Sequence, residues 1–269
     1  LVAFPTVSSS TNLPLIYFVR DYFLSHGIDS EVIPNEDGTK AGLIAAVGPD
    51  VTGGVALSAH SDVVPVEGQN WTTEPWKVIE KDGKIYGRGT CDMKGFVALA
   101  IAAMVKAKAS NLKRPLQFAL SRDEEVGLLG APDVAQGLLD KFAKVDAVLV
   151  GEPTEMKVVT GHKSCDDLQF HVRGHEVHSS LLHEGVSAVM CGARFVEWVR
   201  KQNVENQARA PSTVAAMYNP PFTTLHVGQI NGGTANNITA KDCYFAIDLR
   251  CVGDERPEDW RSKIQQEIA

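Results

Sequence analysis

The chain has 269 residues, 44% of them hydrophobic, so it can bury a sizeable core as one large domain or two smaller ones. Its formal net charge of −7 and its lack of a basic cluster argue against nucleic acid and anionic membranes as partners. The sequence contains neither an apolar run long enough to span a bilayer nor a basic-then-apolar signal pattern at its start. These features predict a cytoplasmic location.

The first predicted elements are a helix and two strands. Residues 13–24 form a helix with proline in its first turn, and Gly27 stops it. Residues 41–47 and 55–59 are short apolar runs that predict strands. We expect these two strands to pair with each other, the second ending at His60.

A glycine-broken turn, residues 85–95, then leads into a helix. Residues 96–105 lack Gly and Pro and are rich in Ala and Leu, which predicts a largely buried helix. Asp92 therefore lies in a strand-to-helix crevice, where open α/β sheets bind their ligands. Alone, Asp92 is better explained as the N-cap of the helix, since Asp is a favoured capping residue.

Three predicted strand ends carry the other candidate ligands. The strands are residues 55–59, 116–121 and 145–150, and parallel strands bring their carboxyl ends to one edge of a sheet. An imidazole and several carboxylates should then converge, and buried negative charges need a cation to offset them. The residues that follow these strands are His60, Asp62, Asp123, Glu124, Glu125 and Glu152.

The pattern of the chain changes after about residue 162. Alternating polarity predicts an antiparallel strand over residues 167–173, and helical spacing places Ala188, Val189, Cys191, Phe195 and Val199 in a core. Further strands at 223–230 and 243–249 and a helix from Pro257 complete a ferredoxin-like order without its last strand. The domain boundary is predicted between residues 162 and 163.

The five cysteines are odd in number and lack paired zinc-finger spacing. A disulfide framework or a structural Cys-zinc site is therefore not expected. Most of the cysteines are expected to be small buried hydrophobic residues.

Four short motifs in one order resemble a known family. They are His60-Ser61-Asp62, the run from Gly87 to Gly95, Asp123 to Gly127, and Gly151 to Thr154. Together they are similar to the acetylornithine deacetylase and succinyl-diaminopimelate desuccinylase family of di-zinc amidohydrolases and peptidases.

The resemblance implies an α/β fold in two parts. Residues 1–162 would form a zinc-peptidase-like catalytic domain with a mixed, largely parallel sheet, and residues 163–269 an α+β ferredoxin-like lid and dimerisation domain. It also implies a segment after the lid that returns to the catalytic domain and supplies one more metal-binding histidine. No residue before Ala269 matches that histidine. Both domains are thus expected to be incomplete, and loss of the segment is favoured over a naturally reduced form, because apolar faces would stay uncovered.

The resemblance also implies roles for the ligand residues. Asp92 would bridge two zinc ions per subunit, with His60 and Glu152 on one ion and Glu125 on the other, and a cis Asp92–Met93 bond is expected. Imidazole and carboxylates suit zinc, with Co or Mn as possible substitutes. Asp62 would hold the His60 ring, as carboxylates beside metal-bound histidines do. The alternatives are a core histidine at His60 and a turn aspartate at Asp62.

Glu124 would be the general base that takes a proton from the attacking water and passes it to the leaving amine. A solvated pair of glutamates is the alternative, which the preceding apolar strand disfavours.

Three residues of the second domain are implied in substrate binding. His178 matches a lid histidine that reaches a neighbouring subunit's site, so the working unit would be a homodimer. Asn237 and Arg250 match residues that hold substrate polar groups, and an Arg fork suits a carboxylate. Ala240 and Ser164 depart from the frequent proline and glycine of relatives, which puts substrate identity in doubt.

The predicted function is deacylation of a small N-acyl amino acid, with N-acetylornithine, converted to ornithine and acetate in arginine biosynthesis, as the leading substrate. Desuccinylation of a diaminopimelate-like substrate, or dipeptidase or carboxypeptidase activity, is the alternative within the family. A non-catalytic binding or dimerising protein is the alternative of another class. A structural calcium or magnesium site ranks last, because it would use oxygen ligands alone.

Overall fold

The computed structural model describes residues 1–268 and divides into two compact units, Leu1–Lys157 and the chain from Val158 onward. The assignment of residues 1–162 and 163–269 as catalytic and lid domains remains a prediction. The first unit contains α1 (Leu13–Ser25), β1 (Ser30–Pro34), β2 (Ala41–Val47), β3 (Val55–His60), β4 (Ile79–Lys81), β5 (Lys84–Tyr86), α2 (Lys94–Lys108), β6 (Leu116–Ser121), α3 (Ala131–Lys141) and β7 (Ala147–Val150).

The main sheet of the first unit is mixed, as predicted, and has the strand order β1-β2-β6-β3-β7. Strands β6, β3 and β7 are parallel neighbours, whereas β2 runs antiparallel to both β1 and β6. The predicted pairing of β2 with β3 is therefore wrong. Strand β6 lies between them because five of its six residues are buried, and such an apolar run is stable in the middle of a sheet.

The core of the first unit packs α1 and α2 against this sheet. Phe23 of α1 meets Phe118 of β6 edge-on, with ring centroids 5.6 Å apart. Helix α2 buries Val97 and Met104 but leaves Leu99 70% exposed, so it is amphipathic rather than largely buried as its composition predicted. Composition alone does not distinguish the two cases, because Ala and Leu are common on both faces of a helix.

The second unit is a three-stranded antiparallel sheet with helices. Its elements are β8 (Asp166–Arg173), a 3₁₀ helix (Ser179–Glu184), α4 (Ala188–Ala208), a second 3₁₀ helix (Ala215–Met217), β9 (Thr224–Gly232), β10 (Asp242–Arg250) and α5 (Pro257–Ile268). The strand order is β8-β10-β9. Helices α4 and α5 bury Phe195 and Trp260 in one apolar cluster with Phe245 of β10.

Two cysteine predictions are wrong. Cys91, Cys165 and Cys191 are exposed, and only Cys243 and Cys251 are buried. Cys191 lies on the outer side of α4, whereas Ala188, Phe195 and Val199 of the same predicted face are buried. Helical spacing does not decide whether a side chain at the edge of an apolar face is buried or exposed.

No helix among residues 1–268 is long and apolar enough to cross a membrane.

Candidate metal centre

The parallel strands of the first unit bring the candidate ligands to one edge. Strand β3 ends at His60, which is level with Ser121 at the end of β6. On its other side, Ser58 is level with Val150 at the end of β7. The residues that follow each strand therefore leave the sheet side by side, which places Glu124, Glu125 and Glu152 around His60.

Asp92 reaches the same place from the turn before α2. Met93 occupies the N-cap position of α2 and no side chain caps it, so the capping explanation of Asp92 is wrong. The Asp92–Met93 peptide bond is cis, as the resemblance implied. The turn needs glycine at Gly95, because a Cβ there would lie 2.3 Å from the carbonyl oxygen of Thr90.

The imidazole Nε2 of His60 is surrounded by carboxylates. It lies 3.0 Å from Oδ1 of Asp92, 3.7 Å from Oε1 of Glu152 and 3.9 Å from Oε2 of Glu124. Two sets of potential ligand atoms, one with Asp92 and Glu152 and one with Glu124 and Glu125, each lie with His60 within 4.8 Å of one another. The His60 side chain is 2% exposed, whereas those of Asp92, Glu124 and Glu152 are 47%, 30% and 38% exposed. Solvent therefore reaches the cluster from the carboxylate side.

Asp62 fixes the His60 ring from behind. The imidazole Nδ1 lies 2.9 Å from the backbone carbonyl oxygen of Asp62 and 3.5 Å from its Oδ1. The ring contact is thus made mainly by the main chain of Asp62. This arrangement directs Nε2 toward the acidic cluster.

The Asp62 carboxylate has a second task that the sequence did not indicate. It accepts hydrogen bonds from the backbone N–H groups of Glu124 and Glu125 at 3.1 and 3.3 Å. It also accepts one from Oγ of Ser8 at 2.7 Å. The turn after β6 is therefore tied to the turn after β3. Ser8 lies in an N-terminal loop without pattern or motif, so no sequence signal identifies it.

The cluster perturbs the protonation of its members. Burial would lower the pKa of His60, but the Asp62 carboxylate beside Nδ1, with the charges of Glu124 and Glu152, raises it to about 9. Burial raises the pKa of Glu124, Glu125 and Glu152, and repulsion from neighbouring carboxylates, including Asp92, raises it further. The charged carboxylates thus repel one another, and a proton on His60 offsets part of this repulsion.

This donor set fits a metal ion. Imidazole nitrogen and carboxylate oxygen are the ligands of catalytic zinc and related divalent cations. A divalent cation would relieve the repulsion between carboxylates that the raised pKa values report.

The three candidate substrate residues lie in the second unit. His178 forms a β-bridge with Ile238, and the backbone N–H of Ser179 donates to the carbonyl oxygen of Asn237 at 2.8 Å, so His178 and Asn237 are neighbours. Arg250 is the last residue of β10, where its Nε donates to Oδ1 of Asp248 at 2.6 Å. Their roles in substrate binding remain predictions.

Comparison with known proteins gives consistent results at the level of sequence. The family model of peptidase family M20/M25/M40 matches residues 56–246. An acetylornithine deacetylase of Pasteurella multocida (strain Pm70) is 32% identical over 276 residues, covering 100% of this chain and 70% of the relative. An acetylornithine deacetylase of Myxococcus xanthus is 35% identical over 265 residues, covering 96% of this chain and 67% of the relative.

The fold is similar to that of a solved structure. A solved M20 family metallo-carboxypeptidase of Sulfolobus solfataricus superposes with a TM-score of 0.77 at 14% identity, covering 99% of this chain and 73% of that chain. The region that the family model matches includes all four motifs that supply the cluster around His60. On these matches the chain belongs to peptidase family M20/M25/M40, a family of hydrolases.

Proposed function

We propose that this protein is a metal-dependent amidohydrolase that removes the acyl group of a small N-acyl amino acid. The proposed substrate is N-acetylornithine, giving ornithine and acetate in arginine biosynthesis. The observation that carries the proposal is the convergence of His60, at the end of β3, with four carboxylates, three that follow β6 and β7 and one from the turn before α2. The choice of substrate is supported by the two acetylornithine deacetylases that the chain resembles.

The proposed metal ligands divide into two groups. His60 and Glu152 would hold one zinc ion, Glu125 the second, and Asp92 would bridge them, with cobalt or manganese as substitutes. The set of ligand atoms from His60, Asp92 and Glu152 supports the first group, and the second set places Glu125 beside the same imidazole. When bound, the ions polarise the scissile carbonyl group and make water more acidic.

Glu124 is the proposed general base. Its Oε2 faces the His60 imidazole at 3.9 Å, while its backbone N–H is held by Asp62. Burial and the neighbouring carboxylates raise its pKa, which makes the carboxylate a stronger base. Glu124 takes a proton from the attacking water at this carboxylate and passes it to the leaving amine.

The second unit would bind the substrate and the partner subunit. A homodimer through this unit would bring His178 to a neighbouring site, and Asn237 and Arg250 would hold the polar groups of the amino acid. A substrate carboxylate would replace Asp248, which accepts one hydrogen bond from Arg250, since a guanidinium group can form two parallel hydrogen bonds with a carboxylate. Asp62 contributes as the residue that orients His60.

The proposal is tested with the protein expressed from its intact gene and loaded with zinc. Release of free amine from N-acetylornithine is measured beside the Glu124→Gln variant and a Glu80→Gln control, whose glutamate is exposed on β4. We expect turnover in the wild type and the control, and a loss of about 10²-fold to 10⁴-fold in the Glu124→Gln variant with unchanged metal content.

The other outcomes distinguish the alternatives. Turnover of N-succinyl-diaminopimelate or of a dipeptide, with none of N-acetylornithine, would move the assignment to the desuccinylase or dipeptidase alternative. Binding of metal without turnover of any of these compounds would contradict the proposed substrate class. Absence of both metal and turnover would favour a non-catalytic protein.

A further inference from the structure

Asp123 precedes the two glutamates and is held by two cations. Its side chain is 6% exposed. Nζ of Lys40 donates to its Oδ1 at 2.5 Å, and Nη1 of Arg122 donates to its Oδ2 at 3.0 Å. Lys40 comes from the residue before β2, so one of the two cations is distant in sequence. Both carboxylate oxygens of Asp123 are therefore fixed.

The backbone of Asp123 is in a conformation that needs support. Its φ of +54° lies in the left-handed region, which is unfavourable for a residue other than glycine and persists only where the surrounding contacts impose it. The turn it begins is closed by hydrogen bonds from the N–H groups of Gly127 and Leu128 to the carbonyl oxygen of Glu124. The carbonyl oxygen of Asp123 accepts a hydrogen bond from the N–H of Leu129 at 3.1 Å, and the two ion pairs hold its side chain, so backbone and side chain together fix the start of the turn.

Lys40 also supports the other side of the same turn. Its Nζ donates to the carbonyl oxygen of Ser8 at 2.5 Å, and Oγ of Ser8 donates to Oδ2 of Asp62. Asp62 in turn accepts the N–H groups of Glu124 and Glu125. One ammonium group thus joins the two acids, Asp62 and Asp123, that flank the glutamates.

Lys40 and Arg122 do not contribute equally. Nη2 of Arg122 also pairs with Asp133 at 2.7 Å, on the exposed side of α3. The Lys40 side chain is 18% exposed, and among residues 1–268 Asp123 is its one carboxylate partner within 4.0 Å. A half-shared guanidinium leaves Asp123 dependent on Lys40, since a buried carboxylate that loses its cation is strongly destabilised.

We propose that Lys40 is a positioning residue for the metal centre: through Asp123 and Ser8 it sets the placement of Glu124 and Glu125. The expected change in kcat rests on the proposed function. The expected change in hydrogen exchange of the turn does not. Lys40 contacts neither the candidate ligand Glu125 nor the candidate base Glu124; it acts through the turn that carries them.

The test compares three variants of the full protein. Lys40→Met removes the charge and keeps the length, whereas Lys40→Arg keeps the charge. Lys141→Met is the control: it removes an exposed lysine at the end of α3 that pairs with Glu31. The first readout is amide hydrogen exchange of a peptide spanning residues 121–130 in the metal-free protein. We expect exchange about tenfold faster in Lys40→Met and unchanged rates in the two other variants.

The second set of measurements is steady-state kinetics and zinc affinity. With zinc bound, we expect kcat of Lys40→Met to fall about tenfold to 10²-fold with KM within about threefold, because a small misplacement of catalytic groups affects the reaction more than binding. The affinity for one of two zinc ions should also fall. Lys40→Arg should retain most of the wild-type values, and Lys141→Met all of them.

Each result decides for or against the proposal. Unchanged exchange in Lys40→Met would overturn it, and so would equal losses in Lys40→Met and Lys40→Arg, which would assign Lys40 a packing role. If the wild type has no deacylase activity, the proposed function fails while the exchange result still judges Lys40. If Lys40→Met does not fold, Lys40→Gln, Asp123→Asn and their double variant replace it: an increase in exchange in the double variant smaller than the sum of the two single increases supports action through Asp123, and additive increases refute it.

Discussion

The imidazole of His60 and the carboxylate of Asp92 face each other at 3.0 Å, although 32 residues separate them in the chain. His60 ends a buried strand, whereas Asp92 comes from a turn that enters a helix. Their contact lies at the centre of the acidic cluster, and the Asp92 side chain is 47% exposed. A cation bound in the cluster would meet the imidazole nitrogen and several carboxylates together.

Removal of the Asp92 charge should empty the centre. In Asp92→Asn we expect bound zinc to fall from about two ions to one or none, because a neutral amide binds a divalent cation poorly and cannot bridge two. Metal content after dialysis is measured by elemental analysis. Asp140→Asn, an exposed change on α3, is the control and should keep its metal. Full retention of both ions in Asp92→Asn would contradict the bridging role.

His60 should titrate at high pH in the metal-free protein. Its pKa is raised from 6.5 to about 9, so its protonated form stabilises the folded state below pH 6.5, and this stabilisation is lost as pH rises through about 9. At about 1.4 kcal/mol per pKa unit, the loss is on the order of 3 kcal/mol.

Denaturant unfolding with a chelator between pH 6 and 10 measures this loss, and NMR titration locates the midpoint. The decline should be smaller in His60→Gln, and zinc should abolish the titration of the ring in the wild type. A midpoint near the ordinary value of 6.5 would show that the carboxylates do not act on His60 as described.

The central position of β6 predicts a large cost for truncating its core side chain. Phe118 is fully buried against Phe23, so Phe118→Ala should lower the free energy of unfolding by about 3–5 kcal/mol. Leu99→Ala on the exposed face of α2 should change it by less than about 0.5 kcal/mol. Similar losses in both variants, measured by denaturant unfolding, would be inconsistent with the observed packing.

A methyl group at Gly95 should disturb the turn that carries Asp92. The added Cβ would lie 2.3 Å from a backbone oxygen, which cannot rotate away, so Gly95→Ala should cost about 1–3 kcal/mol and weaken metal binding. Gly161→Ala is the matched control, because no heavy atom lies within 4 Å of its Cβ. Thermal unfolding and zinc titration are the measurements. A Gly95→Ala variant as stable as this control would argue against the observed turn.

Local patterns predicted most helices and strands of the chain. The strand Ala41–Val47 has the bounds that its apolar run indicates, and the last helix begins at Pro257 as the sequence indicates. The convergence of His60 with Glu152 followed from a general rule for parallel strands, which needs no knowledge of the strand order.

Contacts between distant segments could not be predicted from local patterns. The insertion of β6 between β2 and β3 depends on which apolar run is buried on both faces, and all three runs look alike in sequence. The position of Cys191 at the edge of a helical stripe is of the same kind. Such choices are made by packing against partners that the local sequence does not contain.

The sequence by itself determined the ligand types, their order along the chain and the strand ends that present them, because strand periodicity and ligand chemistry are local properties. Only the tertiary structure decided that the Asp62 carboxylate holds the backbone of Glu124, that Asp92 does not cap α2, and that Lys40 joins Ser8 to Asp123. These relationships are hydrogen bonds and ion pairs between segments as much as 83 residues apart, and they form only when the sheet has set the distances between them.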